Sequence, residues 1–155
     1  MGLILIGLIS LNEIGYNGII YLLVSHGLIS SLLFLLIGAL YIRTGSRNFY
    51  YFRGLANNMP IFTIYLLIGL LFNAGFPPSL SFWSEFHIIN GALFYEFFGS
   101  CSLMFTVFIS GIYSIILFTR LAFSINPLLK LNDLNIREFY IFFPLVLFSL
   151  SLILF

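Results

Sequence analysis

Charge is what this chain has least of. Asp, Glu, Lys and Arg make up 7% of its 155 residues, where a soluble domain carries roughly 25%. The shortage excludes an ordinary soluble globular protein. With 61% hydrophobic residues and a mean hydropathy of +1.14, the chain is an integral membrane protein with several spans. A net charge of +1 offers no basic surface for a phosphate backbone, so nucleic acid is excluded as a partner. Cys101 is the sole cysteine. It can form no internal disulfide and, within an apolar run, reads as a small apolar residue. Walker loop, Gly-x-Gly-x-x-Gly, Cys-x-x-Cys and His-Glu-x-x-His are all missing. Nucleotide, thiol-redox and zinc-hydrolase chemistry therefore have no footing. The first residues, Met1 to Leu5, carry neither the basic start and cleavage site of a secretory signal nor the Arg- and Ser-rich pattern of a transit peptide, so neither is expected.

What is present is apolar sequence in runs. Met1–Leu11 would be about 16 Å long as a helix, too short for a hydrocarbon core of ~30 Å. It is expected to be a partial helix, either re-entrant or completed by another polypeptide. Residues 16–42 are long enough to span with tilt. Residues 59–98 would make one straight helix of about 60 Å, twice the membrane, so they must be broken, and Gly75-Phe76-Pro77-Pro78 marks the break within 75–79. Residues 99–123 and 139–155, the latter containing Pro144, complete the set. The expected fold is an all-α, polytopic membrane helix bundle, one domain over residues 1–155, with one discontinuous transmembrane helix. If the broken stretch makes a single net crossing, Arg43, Arg47, Arg53, Arg120, Lys130 and Arg137 share one side, and Glu13 and Glu96 fall on the other. Two crossings would split the cations evenly. The positive-inside rule selects the first solution, with the basic loops on the cytoplasmic or matrix side and the C-terminus opposite.

Three titratable side chains lie inside apolar segments: His26, Glu85 and His87. Glu85 is the one firmly charged residue between Arg53 and Glu96, a few residues beyond the break. An intramembrane carboxylate costs about 2.5–3.5 kcal/mol or more and marks a functional site. A broken helix beside it adds backbone groups that only protein or a water-filled cavity can satisfy, and a group so placed can load and unload protons. Ser81 lies four residues back on the same helical face. His26, with Ser30 four residues on, reads either as a neutral histidine tying two helices together or as a proton relay. His87 lies about 160° around the helix from Glu85 and reads as an interfacial or helix-contact residue. Asn73, just before the break, reads as a cap for freed backbone groups. Trp83 and the many Phe and Tyr residues read as packing and lipid contact, with Tyr50 and Tyr51 in an interfacial belt. His26 and Glu85 lack the cluster of carboxylates and carbonyls of a sodium cage. They are also too few for a complete path across ~30 Å.

These residues form a pattern. Tyr21-Leu22-Leu23-Val24-Ser25-His26-Gly27-Leu28-Ile29-Ser30-Ser31-Leu32-Leu33-Phe34 resembles the His-Gly-Leu-x-Ser-Ser-Leu-Leu-Phe motif of the fourth membrane subunit of respiratory complex I, NADH:ubiquinone oxidoreductase. Tyr41-Ile42-Arg43-Thr44-Gly45-Ser46-Arg47 resembles its Tyr-Glu-Arg-Thr-x-Ser-Arg. The stretch from Asn73 to Glu85 resembles its broken-helix motif, and Tyr113-Ser114 falls in a matching region. The likeness weakens after about Ala122. Ser84 stands where the family usually has Gly, and Ile42 where it has an acid.

The resemblance implies that Glu85 is the proton-translocating glutamate of a discontinuous helix, in a position usually held by lysine in the sister antiporter-like subunits. It implies that His26 links the central polar axis to Glu85, with Ser30 in support and His87 a weaker member. It also implies no cofactor in this chain, with FMN, iron–sulfur clusters and ubiquinone in other subunits. The implied partners are the N-terminal half of the same subunit on a separate chain, other antiporter-like and accessory subunits, and the bilayer. The place is the mitochondrial inner membrane, basic loops to the matrix and C-terminus to the intermembrane space, which fits the AT-rich codons of the abundant Phe, Ile, Leu, Tyr and Asn. Two other readings remain at this point: a subunit of a multi-subunit Na⁺/H⁺ antiporter, and a structural membrane subunit without pumping.

Overall fold

The computed structural model describes residues 2–46, 48, 52, 54–93, 97–123 and 131–152. Arg47, Arg53, Glu96 and Lys130, which bear on the expected topology, and Met1, Tyr50 and Tyr51 lie outside the described residues. Among the described residues all regular structure is helical: α1 (Gly2–Ile9), α2 (Glu13–Thr44), α3 (Leu55–Asn58), α4 (Pro60–Asn73), α5 (Leu80–Leu93), α6 (Phe97–Ala122) and α7 (Ile136–Ser151). Helices α2 and α6 are long and apolar enough to cross a membrane.

Helix α2 is the rail on which the rest is laid. Its 32 residues make it ~48 Å long. It begins at Glu13, earlier than the apolar run, because Asn12 takes the extended backbone of an N-cap and its carbonyl accepts Tyr16 N–H at 3.0 Å. It stops where Gly45 takes φ +65, a conformation that glycine adopts without a Cβ penalty. Glu13 in its first turn and Arg43 in its last complement the helix dipole.

Helices α4 and α5 run one after the other along this rail. A Cβ on Gly69 of α4 would meet Leu33 at 2.9 Å and Leu32 at 3.5 Å; one on Gly18 of α2 would meet Ile88 of α5 at 2.9 Å; one on Gly91 of α5 would come within 2.8 Å of the Gly15 backbone. As α4 and α5 advance, their partners on α2 recede toward its N-terminus. Both are therefore antiparallel to α2 and set end to end, in the geometry of a single helix with a gap. Small residues allow the approach: Gly15, Gly18 and Ser25 on α2, Ser81, Ser84, Gly91 and Ala92 on α5, all buried. In lipid, helices gain little from hydrophobic driving force, and close van der Waals packing does more of the work.

Two apolar clusters result. The larger joins Leu32, Leu36 and Leu40 of α2 to Leu55, Met59, Phe62, Leu66, Leu70, Leu121 and Phe142; the smaller joins Ile19, Leu22 and Ile88, with Leu3 and Ile4 of α1 against them. Outward, α6 and α7 present Phe97, Phe98, Phe105, Phe108, Tyr140, Phe143 and Phe148, all exposed. A water-facing surface does not carry so continuous an apolar area.

One end of the bundle is tied by charge. The Arg43 guanidinium forks onto Glu138 of α7, Nη1 reaching Oε1 at 2.9 Å and Nη2 bonding Oε2. Its other donors go to the carbonyls of Ala39 (2.9 Å), Asn132 (3.1 Å) and Asp133 (3.3 Å). Glu138 also accepts the Asn135 N–H at 2.9 Å, which starts α7 at Ile136, ahead of the apolar run at 139. At this polar end, the hydrogen-bonded Arg43 holds the Glu138 carboxyl below its ordinary 4.5, against partial burial, which raises it.

Two outcomes follow. Gly91→Leu should force α5 off α2 and destabilise the chain by about 1–3 kcal/mol, read as a lowered Tm in detergent. The Arg43–Glu138 contribution is complete above pH 4.5 and is lost as pH falls through the lower folded-state value. Tm should therefore drop with this pair only in acid below pH 4.5, a step that Glu138→Gln should lack.

Candidate functional site

The gap between α4 and α5 is built by a run of specific bonds. Helix α4 ends in a Schellman arrangement: Gly75 takes φ +69, its N–H donates to Phe72 O at 3.2 Å, and Phe76 N–H donates to Leu71 O at 3.0 Å. The chain then passes through a cis Pro77–Pro78 peptide and turns into α5 at Ser79. Ser79 Oγ accepts Phe82 N–H at 3.3 Å, as an N-cap does. Ser81 Oγ donates to the Phe72 carbonyl, across the gap. Having spent its one proton there, Ser81 accepts from Ser79, whose Oγ lies 2.7 Å away. A chain of hydrogen bonds thus runs from the Phe82 amide through Ser79 and Ser81 to Phe72, joining the cut ends. Ser84 turns its hydroxyl back onto Ser81 O at 2.6 Å.

Glu85 sits one turn into α5, 9% exposed, and its Oε2 has no hydrogen-bond partner among the described residues. The carboxyl lies against Gly75. A Cβ there would fall on Oε2 and within 3.2 Å of Oε1. Glycine at 75 therefore serves both the left-handed turn and the space the carboxylate occupies.

Beside Glu85 is a cavity of about 130 Å³, between the two apolar clusters, lined by Ser25, His26, Asn73, Ser81 and Glu85 among the apolar Leu3, Ile4, Leu22, Leu23, Ile29 and Phe72. At ~30 Å³ per water it has room for roughly four, and the polar lining gives them partners. His26 is exposed at its edge. The structure thus brings His26 and Glu85, on different helices, to one space.

Other expected residues lie elsewhere. Ser30 does not line the cavity, and its hydroxyl donates to Gly27 O at 3.3 Å. The serine on the inward stripe is Ser25, fully buried, with its Oγ on Leu22 O at 3.1 Å. Leu22, Ser25, Ile29 and Leu32 form the buried stripe of α2, at i, i+3, i+7 positions that share a face, and the apolar sequence around them gave no local signal that this face turns inward. His87 is half-buried outside the cavity; its Nδ1 lies 2.7 Å from Trp83 O, and Tyr21 meets its ring edge-on at 6.0 Å. A carbonyl only accepts, so Nδ1 carries the proton. Asn73 lines the cavity, and its side chain makes no hydrogen bond to a described residue; the Schellman turn and Ser81 satisfy the backbone it was expected to cap. Among the described residues no three of His, Cys, Asp and Glu converge as metal ligands do.

A broken helix carrying a buried carboxylate, packed on a long helix with a histidine beside the gap, defines a class of antiporter-like membrane subunit. A family model described as NADH:quinone oxidoreductase/Mrp antiporter, TM, matches residues 1–116, and the chain belongs to this family. Within it, the chain is 38% identical over 161 residues to NADH-ubiquinone oxidoreductase chain 4 of Wickerhamomyces canadensis, covering 97% of this chain and 32% of that one. It is 40% identical over 149 residues to chain 4 of Marchantia polymorpha, covering 94% and 30%. A solved structure, respiratory complex I from Thermus thermophilus with bound NADH, contains a chain that matches at a TM-score of 0.89 and 30% identity, over 96% of this chain and 32% of that chain. The fold is that of an all-α complex I membrane subunit, and the chain spans about a third of the length of these relatives.

Ser81→Ala should leave the Phe72 carbonyl and Ser79 without their partner and cost about 1–3 kcal/mol, seen as a lowered Tm or a smaller assembled amount.

Proposed function

We propose that the chain forms the C-terminal half-channel of the fourth membrane subunit of respiratory complex I and moves protons through His26 and Glu85. The observation that carries this is Glu85 itself: a buried carboxyl with an unpartnered oxygen, at a satisfied helix break, beside a cavity that His26 also lines. A proton reaching His26 from the central axis passes to Glu85 through water in the cavity, and Glu85 releases it along α5. Ser25 and Asn73 supply hydrogen bonds to that water. Ser30 and His87, away from the cavity, take no step in this route.

No redox step occurs in this chain. FMN, iron–sulfur clusters and ubiquinone belong on this reading to partner subunits, which couple NADH oxidation and quinone reduction to the proton step. Cys101 is a single exposed thiol, and an iron–sulfur cluster is held by several cysteines. The partners are the N-terminal part of the subunit, which supplies the remaining relay groups, the neighbouring antiporter-like and accessory subunits, and lipid against α6 and α7. The chain lies in the mitochondrial inner membrane with its basic loops in the matrix and its C-terminus in the intermembrane space. The meeting of Arg43 with the segment before α7 at one end of the bundle supports that sidedness.

In the assembled complex, Glu85→Gln should slow quinone reduction and proton transport roughly a hundredfold or more, the lower end of the range for a positioned proton-transfer group. Electron transfer to a soluble acceptor and the assembled amount should be unchanged. Full-rate pumping in that variant would falsify the assignment. Sodium-driven transport in vesicles without quinone-reducing partners would instead favour the antiporter reading, which the family description also includes.

A further inference from the structure

Helix α4 has the wrong residue at its start. Met59 occupies the N-cap, and its thioether offers the backbone only a weak acceptor. Pro60 follows at the first helical position, so the first exposed donors are the N–H groups of Ile61 and Phe62. A carboxylate from far along the sequence takes both. Asp133 Oδ2 accepts Ile61 N–H at 2.9 Å and Oδ1 accepts Phe62 N–H at 3.2 Å. Oδ1 also accepts the Leu134 N–H at 2.7 Å, which fixes the direction of the carboxylate. The segment itself is held by Arg43, which donates to the carbonyls of Asn132 and Asp133 while gripping Glu138. A distant loop therefore caps α4, and α2 and α7 hold that loop.

The opposite end of α4 is the gap. Phe72 and Asn73 wall the cavity, and Phe72 O receives the Ser81 hydroxyl that ties α4 to α5. A helix of 14 residues is a rod of ~21 Å and carries an axial shift at its start to its end. From this geometry we propose that Asp133 is a positioning residue for the proton site. By capping α4 at the charged end of the bundle, it fixes how far α4 reaches along α2, and so sets Phe72, Asn73 and the Gly75 turn against the Glu85 carboxyl. Asp133 itself takes part in no proton step, and the inference rests on the reading of Glu85 above.

The test uses the assembled complex in inner-membrane vesicles, with Glu85→Gln measured beside each variant. Asp133→Ala slows coupled quinone reduction and proton uptake roughly tenfold or more, up to the ~100-fold that a misplacement of ~1 Å can cost. Asp133→Asn, which keeps a side-chain acceptor for the α4 N-terminus, restores most of the rate. Electron transfer to ferricyanide and the assembled amount stay at the parental level. If Glu85→Gln slows pumping and Asp133→Ala does not, the positioning role is overturned and the proton site stands. If neither slows it, both readings fall. Where Asp133→Ala prevents assembly, Asp133→Ser decides, since its shorter side chain cannot reach both amides: a slowed rate at normal amount supports the role, and a parental rate or no assembly overturns it.

Discussion

Everything in this structure depends on a helix being cut inside an apolar medium and the cut ends being paired. A continuous helix satisfies its own backbone, and an interrupted one leaves donors and acceptors that lipid cannot take. Here the turn at Gly75 returns two amides to Leu71 and Phe72, Ser79 receives the Phe82 amide, and Ser81 bridges to Phe72. The repair is made with hydroxyls and backbone, groups that do not titrate. Among the described residues, the one fully buried side-chain oxygen or nitrogen left without a partner belongs to a group that does titrate, Glu85.

The apolar packing makes room for this arrangement. One cluster grips the outer halves of α2 and α4 and the other grips the near ends of α1, α2 and α5, so each side of the gap is anchored separately. Glycine and serine along the α2–α5 contact bring the backbones close, which holds the Glu85 side of the break against Ser25. The cavity is the space the two clusters leave between them, so its polar lining needed only a few residues: Ser25, His26, Asn73, Ser81 and Glu85.

Much of this was legible in the sequence, and the failures share a cause. The gap at 75–79 was readable because length and proline leave no alternative, and Glu85 because a lone carboxylate in an apolar run has no ordinary explanation. Ser30, named for sharing a face with His26, went the other way, and Ser25 was not singled out. Helical spacing tells which residues share a face with His26, but α2 is apolar around most of its surface, so its pattern gives little indication of which face turns inward. The cap of α4 by Asp133 was hidden for a different reason. Met59-Pro60 reads as a helix start without an oxygen acceptor, and nothing local shows that the acceptor lies 72 residues on. The pairing of His26 with Glu85 came from family resemblance, since no spacing rule relates residues on two helices.

The geometry also bounds what this part of the protein can do. A cavity of about 130 Å³ is only a few water diameters across, a fraction of a ~30 Å hydrocarbon core. On the proposed function, His26 and Glu85 therefore supply one leg of a proton path. The walls of the cavity differ from one end to the other. On the Arg43 side, α2, α4 and α7 are locked by a forked ion pair and a carboxylate cap, and Leu32, Leu36, Leu40, Phe62 and Leu66 close the space between gap and end. Toward Gly15 and Gly91 the contact is made of small residues, with Ile19, Leu22 and Ile88 as a thinner seal. On the proposed route, a proton on Glu85 would meet the smaller apolar cluster going on along α5 and the larger one turning back along α4, the asymmetry that an exit-side group requires.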